Sequence, residues 1–247
     1  MIIGLMLLGL FALIMINVPI AVALAVVAVV AMVLTQGVEI LPNVGLVMYS
    51  GATSFPLLAI PMFVLAGAIM NSSGISRRLI AFASALLGFI RGGLSMVTVG
   101  ASMFFAEISG SAVADVAALG TLLIPAMRRR GYPRGFAAAV SSSSASLAII
   151  IPPSIPMILY GVMSDSSIVQ LFVAGIVPGI IGGLGMMAMS YWLARRLGWP
   201  VEEVFQLRRV WTTFTEAAWA FVIPVVILGS IFSGLVTATE GAGLAVV

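Results

Sequence analysis

Four stretches of this chain, Met1 to Val38, Ile40 to Ser76, Gly135 to Ser164 and Ser166 to Ala194, carry no charged side chain. As helix, each is long enough to cross a hydrocarbon core of about 30 Å, which takes roughly 20 apolar residues. Composition points the same way: 62% of residues are hydrophobic and 8% charged, where soluble domains carry about 25% charged. Outer-membrane barrels use strands of about 10 residues with alternating polarity, and these runs neither alternate nor stop in time. The expected fold class is an all-α integral membrane protein.

Composition also removes chemistry. The chain has no cysteine and no histidine. That excludes disulfides, thiol nucleophiles, Ser-His catalysis and HExxH zinc sites. No GxGD aspartyl motif surrounds Asp115 or Asp165, so an intramembrane enzyme is not expected. The net charge of +3 rests on eleven arginines against eight acids. In a membrane chain such charge sets loop orientation, and no nucleic-acid partner follows from it. The N-terminal run lacks a charged leader and a small-residue cleavage site, so it reads as a membrane helix rather than a signal.

The first 38 residues would span about 57 Å as one helix, nearly twice the bilayer core. Asn17-Val18-Pro19 interrupts them, because proline cannot donate to the helix ladder and biases its predecessor away from it. Two helices, 2 to 16 and 19 to 36, are expected, with a single kinked and tilted helix as the alternative. Residues 37 to 56 read as a loop, with a short amphipathic turn within it as the alternative, and a crossing follows over 56 to 71. Residues 79 to 90 lie between Arg77, Arg78 and Arg91, which suits a helix along the interface. A helix over 168 to 194 is expected, capped by Asp165, Ser166 or Ser167. VEEVFQLRRVW, residues 201 to 211, places Val201, Val204, Phe205 and Trp211 on one helical face and reads as a second interfacial helix. A crossing over 214 to 234 precedes Thr237-Ala-Thr-Glu240, a capping box that opens another helix.

The centre of the chain is FFAEISGSAVADVAALG, residues 104 to 120. Ser109-Gly110-Ser111 lies there between Glu107 and Asp115 in an otherwise apolar segment. Arg91 precedes it and RRRGYPRG, residues 128 to 135, follows it. Arginines kept in the cytoplasm place both ends on one side. Each arm is about 25 Å as helix, short of the roughly 30 Å core. This favours a re-entrant hairpin over 92 to 127 with a polar tip near the midplane, two short full crossings being the alternative.

Downstream, SSSSASLAIIIPPSIPMILYG, residues 141 to 161, holds Pro152, Pro153 and Pro156. Three missing donors must break a helix, and in lipid the freed carbonyls need protein, water or an ion. A hairpin tip against a broken helix gathers helix ends at mid-membrane depth. Helix N-termini favour anions, while C-terminal carbonyls and serine hydroxyls favour a hard cation such as Na⁺. Glu107 and Asp115, ionisable in an apolar setting, serve either an ion site or a hydrogen bond pinning the arms. Small-residue packing is the plain alternative for Ser141 to Ser146. GLVTATEGAGLAVV weakly echoes INVPIAVALAVV, as the start of an inverted repeat would.

SGSAVADVAALGTLLIPAM (109 to 127), RGYPRGFAAAVSSSSASLAIIIPPSIPMILYG (130 to 161) and GLVTATEGAGLAVV (234 to 247) resemble the large membrane subunit of tripartite ATP-independent periplasmic (TRAP) transporters. The resemblance implies sodium-coupled import of small organic acids, carboxylates or sialic acids, across a bacterial or archaeal cytoplasmic membrane. It implies an elevator built from inverted repeats, with a small four-helix membrane subunit and a periplasmic binding protein as partners. No cofactor beyond Na⁺ is implied.

On that pattern, residues 1 to 76 are scaffold and 77 to 91 an interfacial arm. Residues 92 to 167 form the mobile hairpin and broken helix, and 168 to 200 return to the cytoplasm. Residues 201 to 211 are a second arm, and 212 to 247 begin the second repeat. Carried over by position, Ser109, Gly110, Ser111, Pro153 and Ser154 bind substrate. Na⁺ falls to Ser109, Gly110, Ser146, Ile150 and Pro152, with Glu107 and Asp115 in support. Ala148 stands where many members have glycine, which leaves the position of the break open. The second hairpin and second broken helix are absent, so the chain is expected to be the N-terminal part of a longer permease. A receptor-independent Na⁺- or H⁺-coupled anion symporter of similar architecture is the competing reading. A non-transporting anchor would have no use for a polar hairpin tip.

Overall fold

Proline and glycine punctuate an otherwise continuous supply of helix-forming residues. A computed structural model describes residues 2–199, 201 and 204–246 and, of Ile108 and Ser109, the backbone alone. By packing, the chain divides into two units, Met1–Ser54 and Phe55–Val247.

In the first unit, α1 (Ile2–Met15) and α2 (Ile20–Gln36) pack on each other. Between them Asn17 takes a left-handed conformation with φ 64°. Pro19 stands at the N-cap of α2 without a side-chain cap bond. These are the two helices the Asn17-Val18-Pro19 signal predicts. The loop expected over 37 to 56 is instead largely a third helix, α3 (Leu41–Ala52). Pro42 falls in its first turn, where the missing N–H removes no helical bond, so proline here starts a helix rather than preventing one. Among the described residues of this unit only Ala23 and Ala31 are buried.

The second unit starts with a 3₁₀ turn, Phe55–Leu58, and α4 (Ala59–Ser72). Gly74 turns the chain into α5 (Ile75–Leu87), which buries Leu79, Phe82 and Ala83 and exposes Arg77 and Arg78. Next come α6 (Gly93–Ser109) and α7 (Ala112–Arg129), folded back on each other, and then α8 (Arg134–Ala145). A 3₁₀ turn over Ser146–Ile149 and an irregular stretch over 150–154 separate α8 from α9 (Ile155–Ser164). The remaining helices are α10 (Ile168–Leu197), α11 (Leu207–Phe232) and α12 (Ala238–Leu244).

Of the three residues expected to cap α10, Ser167 does so, its hydroxyl accepting from Gln170 N at 3.4 Å. Asp165 closes α9 in a left-handed conformation, φ 55°. The Thr237–Glu240 capping box is complete: Thr237 N donates to Glu240 Oε2 at 2.7 Å and Glu240 N to Thr237 Oγ1 at 3.3 Å.

A separate helix over 201 to 211 does not form. Residues 204–206 are non-helical, and Leu207 opens α11, which continues unbroken to Phe232; Glu202 and Glu203 lie outside the described residues. The segment pairs differently from an amphipathic helix. Val201 forms an isolated antiparallel bridge with Arg91, and Phe205 meets Phe89 edge-on with centroids 4.9 Å apart.

Two apolar cores organise the second unit. One runs through α5, α6, α7, α8 and α11 and includes the rings of Phe82, Phe104 and Phe221, with Phe104 and Phe221 5.2 Å apart and the exposed Phe214 packed against Phe82 and Phe221. The other joins α4, α9, α10, α11 and α12 around Phe63, Ile158, Phe172 and Ile231. Among the described residues, Phe55–Ser72, Ile168–Leu197 and Leu207–Phe232 are long and apolar enough to cross a membrane. α6 has 17 residues, about 26 Å.

Candidate functional site

The tip between α6 and α7 is one glycine deep. Gly110 takes φ 56°, and its N–H donates to Ala106 O at 3.2 Å, closing α6. A left-handed residue after a helix is a common way to satisfy its last carbonyls, and glycine adopts it without a Cβ penalty. Ser111 is extended and caps α7, its Oγ accepting from Ala114 N at 3.4 Å. Backbone alone is described for Ser109, so its expected side-chain role lies outside the described residues.

The break is built from serine as much as from proline. Proline at 152, 153 and 156 removes the donors that would reach the carbonyls of Ala148, Ile149 and Pro152 in a continuous helix. Ser154 replaces one of them, its Oγ donating to Ile149 O at 2.6 Å. The same hydroxyl accepts from Met157 N at 3.4 Å and caps α9. Ile151, Pro152, Pro153 and Ser154 are all buried, and Ser154 is completely so. The Pro152–Pro153 peptide is cis. The expected interruption near 150 to 156 is present, and Ala148 lies in the 3₁₀ turn before it.

Tip and break touch. Ile155 N donates to Gly110 O at 3.3 Å. A Cβ placed on Gly110 would lie 2.7 Å from Pro153 O. The two backbones therefore meet at a distance that any side chain at 110 would prevent. Behind the break, α10 offers a second glycine surface. A Cβ on Gly175 would collide with the Ile150 carbonyl oxygen, and one on Gly179 would lie 2.6 Å from Ile151 Cγ1. Deeper in the same body, Ser102 of α6 and Ser144 of α8 share a buried hydrogen bond of 3.0 Å.

Of the candidate residues, the structure brings together Gly110, Pro153 and Ser154 around Ile155. The Ile150 carbonyl instead points at Gly175 on α10. Ser146 lies two turns up the chain and donates to Ser143 O at 2.6 Å, an ordinary bond within the helix. Asp115 is 1% exposed in the first turn of α7, where the helix dipole favours a negative group. Glu107 lines a cavity of about 290 Å³ with Met103, Ile151, Pro152, Ile180 and Leu228. Sequence reasoning did not single out Gly175, Gly179 or the Ser102–Ser144 pair. The glycine spacing of four on an apolar helix was the available signal, since such stripes admit close backbone approach.

This geometry belongs to a chain with clear relatives. Residues 7–247 match the family model of the tripartite ATP-independent periplasmic transporter, DctM component. The chain is 43% identical over 239 residues to the isethionate TRAP transporter permease protein of Oleidesulfovibrio alaskensis, covering 96% of this chain and 38% of that one. Over 196 residues it is 47% identical to the 2,3-diketo-L-gulonate TRAP transporter large permease protein of Escherichia coli, covering 79% and 46%. Over 189 residues it is 43% identical to the sialic acid TRAP transporter permease protein of Haemophilus influenzae, covering 76% and 31%. The chain thus spans less than half the length of these three relatives.

Proposed function

Because the chain belongs to the DctM-component family of tripartite ATP-independent periplasmic transporters, a family of membrane permeases and not of enzymes, we propose that it acts in sodium-driven import of small organic acids. The observation that carries this reading is the buried contact of a hairpin tip with a proline-broken helix, Ile155 N to Gly110 O at 3.3 Å. Two interrupted helical elements meeting at one point supply opposite electrostatics within a few ångströms. The end of α6 and the carbonyls of the break offer oxygen to a hard cation. The capped starts of α7 and α9, at Ser111 and Ser154, offer N–H groups to a carboxylate or a similar anion. A cation bound at the break offsets the cost of carbonyls left without donors in lipid, which is how an ion gradient would stabilise the substrate-binding form.

In this reading Gly110, Ser111, Pro153 and Ser154 face the substrate, with Ser109 on the tip beside them. Na⁺ draws on Gly110, Pro152 and, further up the chain, Ser146, and Asp115 supports the tip from the first turn of α7. Hairpin and broken helix move as one body past the rest of the permease, as in an elevator. A small membrane subunit and a periplasmic binding protein complete the system in the cytoplasmic membrane.

The test is uptake by the complete permease with both partners in proteoliposomes. An imposed sodium gradient is expected to raise uptake of sialic acid, a C4-dicarboxylate or isethionate at least tenfold over sodium-free controls. Uptake driven equally well by a proton gradient without the binding protein would replace this reading with a receptor-independent symporter. Ser146→Ala is expected to raise the half-saturating sodium concentration; no change leaves Ser146 as packing. Single cysteines replacing Arg91 and Arg130 are both expected to label from the cytoplasm. Labelling of either from the periplasm would defeat the re-entrant hairpin.

A further inference from the structure

Two residues before the tip stands Glu107, expected from the sequence to support the Na⁺ site, and the contacts of tip and break do not involve it. Glu107 is in the last turn of α6 and borders the half-open 290 Å³ cavity lined by the break, α10 and α11. Every other side chain described around that cavity is aliphatic, a proline or a methionine. Neither Glu107 oxygen has a hydrogen bond or ion pair among the described residues. The other charged groups on the flanking elements do not line the cavity. Glu216 on α11 is eight residues from Pro224, about 12 Å along the helix. Arg195 on α10 is fifteen residues from Ile180, about 22 Å. Asp115 and the arginines of α5, α7 and α8 do not border it either.

A space with one anion and hydrocarbon walls selects its occupant by chemistry. It does not suit a bare hard cation, which needs a shell of several oxygens. A second carboxylate would meet a like charge with no donor to offset it. An alkylammonium group suits both features, because its charge pairs with Glu107 and its carbon atoms lie against Met103, Ile151, Ile180 and Leu228. The cavity also adjoins the proposed anion end of the site: Pro152 borders it, and the next residue, Pro153, abuts Gly110. We infer that this site takes a zwitterionic acid, with Glu107 selecting the cationic, alkyl-clad end while the tip and break receive the carboxylate. This rests on the organic-acid reading above and narrows it, since a dianionic acid would meet Glu107 as a like charge.

Three probes of similar length separate the possibilities: 4-trimethylammoniobutyrate, succinate and butyrate. Binding to the complete permease with its small subunit is measured by calorimetry in detergent, without the binding protein, so that receptor selectivity does not enter. The native protein is expected to bind 4-trimethylammoniobutyrate at least tenfold more tightly than succinate or butyrate. Glu107→Gln is expected to remove that preference while leaving the thermal unfolding midpoint unchanged, and Glu107→Asp is expected to retain part of it. An unchanged preference in Glu107→Gln, or native affinity for succinate equal to that for the zwitterion, would overturn the assignment while the organic-acid reading stands. Failure of all three to bind in the presence of sodium, together with absent uptake in the proteoliposome test, would count against the organic-acid reading itself.

Discussion

Two of the places where proline interrupts apolar helix end differently. At residues 16 to 19, one proline and a left-handed Asn17 join α1 to α2, and the side chains of Ile16, Asn17 and Pro19 are exposed. At residues 150 to 154 the proline pair and Ser154 are buried. There the hydroxyl of Ser154 bonds to Ile149 O, Gly110 presses on Pro153, and Gly175 admits the Ile150 carbonyl. The same residue type thus makes a turn in one place and a junction in the other. Proline only removes a donor; the glycines and serines around it decide whether the freed backbone meets solvent or other backbone.

The largest effect should come from closing the approach at the junction. Gly110→Val forces a β-branched residue to φ 56° and sets its Cβ 2.7 Å from Pro153 O. Left-handed backbone costs about 1–2 kcal/mol and overpacking about 1–3 more. Uptake by the complete permease is expected to fall at least a hundredfold; a variant with native uptake would show that the tip does not need the break. An intermediate effect is expected at Ser154→Ala, which loses a helix cap and the bond to Ile149 O. That should lower unfolding stability by about 1–2 kcal/mol, read from thermal unfolding in detergent. The smallest effect belongs to the other interruption. Pro19→Ala loses no side-chain cap bond and should change stability by less than about 0.5 kcal/mol, with uptake unchanged. If Pro19→Ala were as damaging as Gly110→Val, the distinction between turn and junction would collapse.

The same contrast marks what could be read before folding. Pro19 and the Pro152–Pro156 group announce breaks because a missing N–H is a property of the residue itself. Thr237 was legible as a cap for the same local reason, and Ser167 as one of three candidates, while the arginines around residues 79 to 90 set that segment apart. Pro42 misled, because whether proline ends or begins a helix depends on which turn receives it. The segment over 201 to 211 misled as well. Its helical spacing of Val201, Val204 and Phe205 is outweighed by partners over a hundred residues away, Arg91 and Phe89, which no window contains. In the candidate site, Gly110, Pro153 and Ser154 were visible as unusual chemistry in apolar surroundings. The glycine face of α10 was not singled out, because its purpose appears only once Ile150 and Ile151 are laid against it.

That distant pairing has a consequence for how the chain is made. Val201 meets Arg91 at the start of the hairpin, so the clasp joins points about 110 residues apart in the chain. At about 5–20 residues per second of synthesis, Arg91 would wait roughly 5 to 20 s before its partner leaves the ribosome. During that interval α6 and α7 have each other, the earlier α4 and α5, and α8 as it emerges, and the broken helix must pass the insertion machinery before the clasp can close. Assembly would therefore be ordered: the hairpin is laid in place while still unfastened, and its fastening reports that α8, α9 and α10 have already been delivered.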